Sequence, residues 1–246
     1  MRVAQVRDEA ICIRQWDWSE TSQTVSLFCR QTGVIRGIAK GAKRENARFS
    51  GGIEVLSRGE VIASVKTQGQ LSLLIAWDLL ESFPAARASL SAFYAGMTML
   101  DLVHHAVHEH DPHPGLYDAL LAALRGLGSA ESDRRALLGV LWAVLVETGH
   151  QPELRRDVGG SEPLARARSY AFSPRLGGLT PDAGARADVW RVRSETVELL
   201  RRLEQGAADG QADGASVDRA TRLLGRYFRE VFACDPPTLQ RWLGTE

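Results

Sequence analysis

Lysine is almost missing from this chain. Of 30 basic residues only three are lysines, Lys40, Lys43 and Lys66, and all three lie in the first 66 positions. Cysteine is just as scarce: Cys12, Cys29 and Cys234 form no CxxC pair, so no disulfide framework exists and a reducing cytosol suits the chain. The formal net charge is +0, which excludes a global field drawing the protein to nucleic acid or membrane. No apolar run is long enough to span a bilayer; the longest, Ala136 to Val146, is about half of what a transmembrane helix needs. The N-terminus lacks the apolar core of a signal peptide. These absences read as a cytoplasmic protein without a membrane role.

Catalytic signatures are also lacking. There is no GxSxG elbow, no HExxH pair, and no Ser, His and acid whose spacing singles them out. The stretch "GIAKGAKRENARFSGG" invites a phosphate-loop reading, but that loop requires GxxxxGK followed by Ser or Thr. Here Gly37 and Gly41 are four apart, Lys43 follows Gly41 at two, and Arg44 stands where the magnesium-binding hydroxyl belongs. The expectation is a protein that is not an enzyme.

What is present divides the 246 residues in two. Residues 1–80 hold five short runs rich in Val, Ile and Leu, separated by glycines and small polar residues, and "TVSLF" and "VIRGIAK" alternate with period two. Five strands without room for crossover helices predict a small antiparallel barrel, with the oligonucleotide/oligosaccharide-binding (OB) fold and SH3-like barrels both fitting. Residues 81–246 read as helical. Leu90, Phe93, Met97, Leu100 and His104 recur at helical spacing, Pro114 opens "PGLYDALLAALRGL", and "DRRALLGVLWAVLVETG" is apolar nearly all round. Residues of about 149–188 read as an irregular insert, and the helices "DVWRVRSETVELLRRLEQ" and "SVDRATRLLGRYFREVF" follow. The fold class is α+β.

The charge is unevenly spread. Residues 1–80 carry 11 Lys and Arg against 8 Asp and Glu, and the rest carries 19 against 22. Within the first part Arg36, Lys40, Lys43, Arg44 and Arg48 are five cations in thirteen residues, opposed locally only by Glu45, and Lys66 follows downstream. On a strand Arg36, Ile38 and Lys40 share a face, and the loop beyond can follow a phosphate backbone and release counterions; a merely solvated loop fits the composition equally well. Trp16, Trp18 and Phe49 are candidate base-stacking partners, while Phe28 and Trp77 sit among apolar residues and read as core. Arg219, Arg222, Arg226 and Arg229 form a second basic stripe, either the wet face of an amphipathic helix or a seat for DNA or an acidic peptide. The cluster "HHAVHEHDPHP" places His104 and His108 four apart, with His110 and His113 close behind. It reads as a helix end with favourable histidines, and a metal-dependent hydrolase is the rival.

The order of these features resembles the RecO recombination mediators of bacteria along almost the whole chain. The resemblance rests on "WSETSQTVSLFCRQTGVIRGIAKGAKRENARFSGGIEVLS", on "VETGHQPEL" and on "YAFSPRLGG". It implies an N-terminal OB domain that binds single- and double-stranded DNA, annealing of complementary strands, and cooperation with RecR in loading RecA onto DNA coated by single-stranded-DNA-binding protein (SSB). It also implies binding of the acidic SSB C-terminal tail, and a location with the nucleoid. Arg36, Lys40, Lys43, Arg44, Arg48 and Lys66 become the favoured nucleic-acid site. The alternative is an OB-fold RNA-binding or scaffold protein. Many family members hold zinc with four cysteines between the helices. Here those positions are Asp157, Gly160, Pro181 and Gly184, so the expectation is an insert with no metal or other cofactor.

Overall fold

The computed structural model describes residues 4–44, 48–49, 51–66, 69–184, 187–206 and 212–243. The alternating segments form β1 (Ala4–Asp17), β2 (Gln23–Cys29), β3 (Gly33–Ala39), β4 (Arg58–Val65) and β5 (Ser72–Glu81). They close into a barrel in the order β1-β2-β3-β5-β4, with β1 meeting β4 to complete the ring. β1 is long enough to serve both neighbours. Its first half pairs with β4, its second with β2, and a register shift between Cys12 and Arg14 turns the corner. The period-two pattern sends Val25, Leu27, Ile35, Val61, Ala63, Leu74 and Trp77 inward, and all are buried. Gly59 is small because a Cβ there would lie 2.5 Å from the Trp77 indole. This is the OB topology, as the sequence reading expected.

Three helices follow: α1 (Pro84–Ala88), α2 (Leu90–Ala106) and α3 (Pro114–Arg125). Ser89 Oγ accepts the Ala92 amide at 3.1 Å to cap α2, and Pro114 occupies the first turn of α3, where its missing N–H costs nothing. These helices and the barrel form one compact unit, Met1–Gly128.

The second unit runs from Ser129 to Glu246. Its α4 (Ala130–Glu147) starts with a reciprocal Ser129–Ser132 capping box and buries Leu137, Leu138, Leu141, Val144 and Leu145. β6 (Ser169–Ser173), β7 (Gly178–Pro181) and β8 (Trp190–Arg193) make a small sheet in the order β7-β6-β8. α5 (Ser194–Glu204), α6 (Gly214–Phe232) and α7 (Pro237–Leu243) complete it, with α6 packed against α4, α5 and α7.

Two segments differ from the sequence reading. The stretch expected to be irregular supplies β6 and β7, and the helix expected from Asp188 begins only at Ser194 because Trp190–Arg193 pairs with β6. Strands of only four or five residues, one of them (β8) with Arg191 and Arg193 exposed, have the composition of a loop. Only their burial partners (Tyr170, Phe172, Leu179, Val192) mark them as sheet.

The four positions aligned with zinc thiolates do not suit zinc. Gly160, Pro181 and Gly184 have no donor side chain, and the Asp157 carboxylate takes the Gly159 amide at 2.9 Å. Nearby, Asp182 accepts from Ser169 Oγ at 2.6 Å, Arg191 Nε at 2.8 Å and the Gly184 amide at 3.1 Å. The Ser169 hydrogen bond is the largest of the influences that hold its carboxyl below the usual range. Two aspartates thus organise the turns on either side of β6–β7.

Candidate nucleic-acid interface

The outer face of β1–β2–β3 is arranged in rows set by the register. In one row Phe28 lies opposite Val34. The Tyr117 ring of α3 sits 5.8 Å from Phe28, and the His110 amide donates to the Val34 carbonyl at 3.1 Å, so both side chains are buried although they point away from the barrel core. The next row is Arg14, Ser26 and Arg36. Arg14 forms an ion pair with Asp101 of α2, and Arg36 Nη1 lies 3.4 Å from Glu109 Oε1. Glu109 Oε2 also accepts the Gly69 amide at 2.9 Å. Helices α2 and α3 and the connection between them therefore cover these two rows except at Arg36, which stays exposed, and among the described residues the face opens toward the C-terminal end of β3.

The predicted cations gather at that open end. Lys40 follows β3 directly and is exposed. Gly41 adopts φ +66, a left-handed value that costs a side chain about 1 kcal/mol, and its carbonyl accepts the Arg44 amide at 3.1 Å to close a turn. The turn is docked on the β1–β2 connection: the Gly41 amide donates to Ser22 Oγ at 3.1 Å and the Lys43 amide to the Thr21 carbonyl at 3.1 Å. Lys43 Nζ reaches Asp17 Oδ1 at 2.7 Å. Arg44 and Arg48 are exposed, and the Arg48 carbonyl is fixed by the Trp77 amide at 2.8 Å. Lys66 is exposed where β4 ends, and its amide donates to Ser72 Oγ at 3.2 Å on the strand beside β3. Lys40, Lys43 and Arg44 are thus displayed by one turn docked on the β1–β2 connection, with Arg48 held at its carbonyl by β5, Arg36 a row behind and Lys66 at the end of β4, beyond β5. Glu45, the acid expected to oppose them, lies outside the described residues.

The acids that do oppose them, Asp17 and Glu109, come from elsewhere in the chain. Their proximity depends on strand register, which no local spacing reveals. Phe49 must be withdrawn as a stacking partner. It is buried and plugs the barrel together with Ala42 and Ile53, so its ring is not available to a ligand. Trp16 and Trp18 are 49% and 63% exposed, whereas Phe28 and Trp77 are buried as expected, Trp77 inside the barrel and Phe28 outside it against Tyr117.

The histidines do not form the helical pair that spacing suggests. α2 ends at Ala106 because Val107 is extended and the chain leaves to bridge Val34, so His108 lies beyond the helix. His104 is half-buried; desolvation, helped by Arg14 and His105, pushes it down to about 4 and keeps it neutral. His113 Nε2 lies 3.1 Å from Asp111. Among the described residues no group of three or more His, Cys, Asp or Glu side chains is placed to hold a metal.

The second basic stripe borders a groove. Arg219, Arg222 and Arg226 line one wall of a ≈ 300 Å³ cavity, with Trp190, Leu223 and Leu243 supplying apolar surface. Arg219 is held by Thr196 Oγ1 and Ser216 Oγ, and Arg229 by Asp235 at 3.0 Å. The Trp190 ring stacks on Phe172 at 5.9 Å, which fixes it as a rigid edge of the groove.

Comparison with known proteins bears on both halves. Residues 1–83 match the model for the N-terminal part of recombination protein O, and residues 87–235 match that for its C-terminal part. The DNA repair protein RecO of Desulforudis audaxviator is 31% identical, over 96% of this chain and 93% of its own length. Those of Syntrophobacter fumaroxidans and Rhodopirellula baltica are 31% and 27% identical, covering 88% and 86% of this chain and 83% and 78% of theirs. With both family models matched and its relatives aligned along most of their length, the chain belongs to the RecO family of DNA repair proteins.

Proposed function

We propose that the chain is a recombination mediator that binds single- and double-stranded DNA on the open end of its barrel. The observation that carries this reading is the display of Lys40, Lys43, Arg44 and Arg48, all exposed, beside an open sheet face, with the backbone of Gly41, Lys43 and Arg48 fixed by hydrogen bonds. A strand held mainly through its phosphates keeps the bases outside the short barrel contact free to pair, which is what annealing of complementary strands requires. The protein works by holding strands and recruiting partners, RecR among them, so that RecA is loaded onto SSB-coated DNA. It has no active site and needs no metal, its insert being shaped by the Asp157 and Asp182 turns. Its place is the cytoplasm, at the nucleoid; among the described residues no helix is long and apolar enough to cross a membrane.

The groove along α6 is the seat we assign to the acidic SSB tail. It joins guanidinium groups, which suit carboxylates, to an apolar wall that suits a hydrophobic side chain. Binding of a fluorescent tail peptide tests this. Arg222→Ala and Arg226→Ala should each weaken it about tenfold, the loss expected for one charged hydrogen-bonding partner. Binding to bare single-stranded DNA should be unchanged. Wild-type peptide affinity in both variants would move the tail elsewhere, and structured RNA outcompeting DNA at equal salt would favour an RNA-binding protein instead.

A further inference from the structure

Beyond the covered rows of the barrel face lies a third. Trp16 pairs with Thr24 and Thr24 with Ile38 across β1–β2–β3; Ile38 then pairs with Leu73 across the β3–β5 contact. Paired residues point to the same side of a sheet. The inward neighbours Val25, Ala39 and Leu74 are buried in the core, so this row faces outward. It crosses four strands, roughly 14 Å at the usual strand spacing. No residue in it is buried. Trp16 is 49% and Leu73 39% exposed, and Thr24 and Ile38 are partly exposed. An apolar track that the fold leaves open is unusual beside two rows that it covers apart from Arg36.

The charges around it indicate what covers it. Arg36 borders the row on one side, Lys40 on the other, and Lys43 is anchored to Asp17, next to Trp16 in β1. A strand whose phosphates lie on these cations places its bases over the apolar row. An acidic peptide would satisfy the cations but leave no planar groups for the indole. We infer that the row Trp16–Thr24–Ile38–Leu73 is the base-contacting surface of the barrel, with Trp16 stacking on a base and Ile38 and Leu73 forming an apolar floor. This rests on the DNA-binding reading proposed above.

Two oligonucleotides of equal length, one of thymidines and one abasic, separate base contact from phosphate contact. The wild type should bind the thymidine strand more tightly. Trp16→Ala should lose about tenfold on that strand, as for one lost stacking partner. It should lose nothing on the abasic one, and the slope of log K against log salt should be kept. Trp16→Phe should restore most of the loss. Leu73→Ser, on a different strand, should show the same selective weakening with a smaller factor, which guards against a folding defect at Trp16. Wild type binding both oligonucleotides equally, or Trp16→Ala and Leu73→Ser leaving thymidine affinity intact, would overturn the inference while the phosphate site stands. Binding to neither oligonucleotide would remove the DNA reading and the inference together.

Discussion

Replacing Lys40, Lys43, Arg44 and Arg48 with alanine together is expected to cut affinity for single-stranded DNA by on the order of 10³-fold at 50 mM salt, and by only about 20-fold at 200 mM. The shrinkage with salt is the diagnostic part. Each single-strand phosphate contact contributes about 0.7 to the slope of log K against log salt, so losing four should flatten it by about 2.8. The four side chains are exposed, and the loop is held by its backbone bonds to Thr21, Ser22 and Trp77, so the fold should survive. The contributions should be unequal. Lys43 already engages Asp17 at 2.7 Å and must exchange that partner for a phosphate. Lys43→Ala should therefore cost least, and Asp17→Asn should tighten binding by removing the competitor. A titration in which the quadruple variant keeps the wild-type slope would take this loop out of the DNA site.

The largest effect on stability is expected from Gly33→Ala. Gly33 has φ +75, and a Cβ there would lie 2.4 Å from the Asp111 carbonyl oxygen and 2.6 Å from the Asp111 amide nitrogen. The left-handed backbone costs an alanine about 1–2 kcal/mol, and the collision is with main chain, which yields only by moving the whole segment. That segment is tied to β3 through the His110 amide and the Val34 bridge. Together the terms come to about 3–4 kcal/mol, a fall of roughly 10 °C in Tm. Gly69→Ala is the control. Its φ is +82 with nothing within 4 Å, so it should cost only the backbone component. A melting temperature equally lowered by both would show that the close approach at Gly33 does not matter.

These particulars show where the sequence was readable. The barrel strands announce themselves because short Val-, Ile- and Leu-rich runs, two of them alternating with period two, are parted by glycines and small polar residues, and the cationic loop is visible because its charges are close in sequence. The arginines of α6 are likewise spaced to share a face. What depended on register stayed hidden. Asp17 reaching Lys43, Glu109 reaching Arg36, and Phe49 turning inward from a polar loop are consequences of how distant strands align. The short strand Trp190–Arg193 was misread for a related reason, since its helix-compatible composition is overruled by pairing with β6. The helix assumed beneath His104 and His108 stops early because a β-bridge to Val34 competes for the chain.

The barrel is closed on one side by very little. β3 and β5 meet in parallel through only two residue pairs, Gly37–Ser72 and Ile38–Leu73, while β1–β4 and β4–β5 are joined along most of their length. Parallel ladders are also slightly weaker per residue. This seam is accordingly where the ring is expected to open first, and its amides should exchange fastest with solvent deuterium among the barrel ladders. The hinge of such an opening is β3 itself, which carries Arg36 and leads into Lys40. A barrel that breathes at this seam changes the width of its own cationic edge without unfolding, and any ligand laid across the edge acts as a staple that slows the exchange.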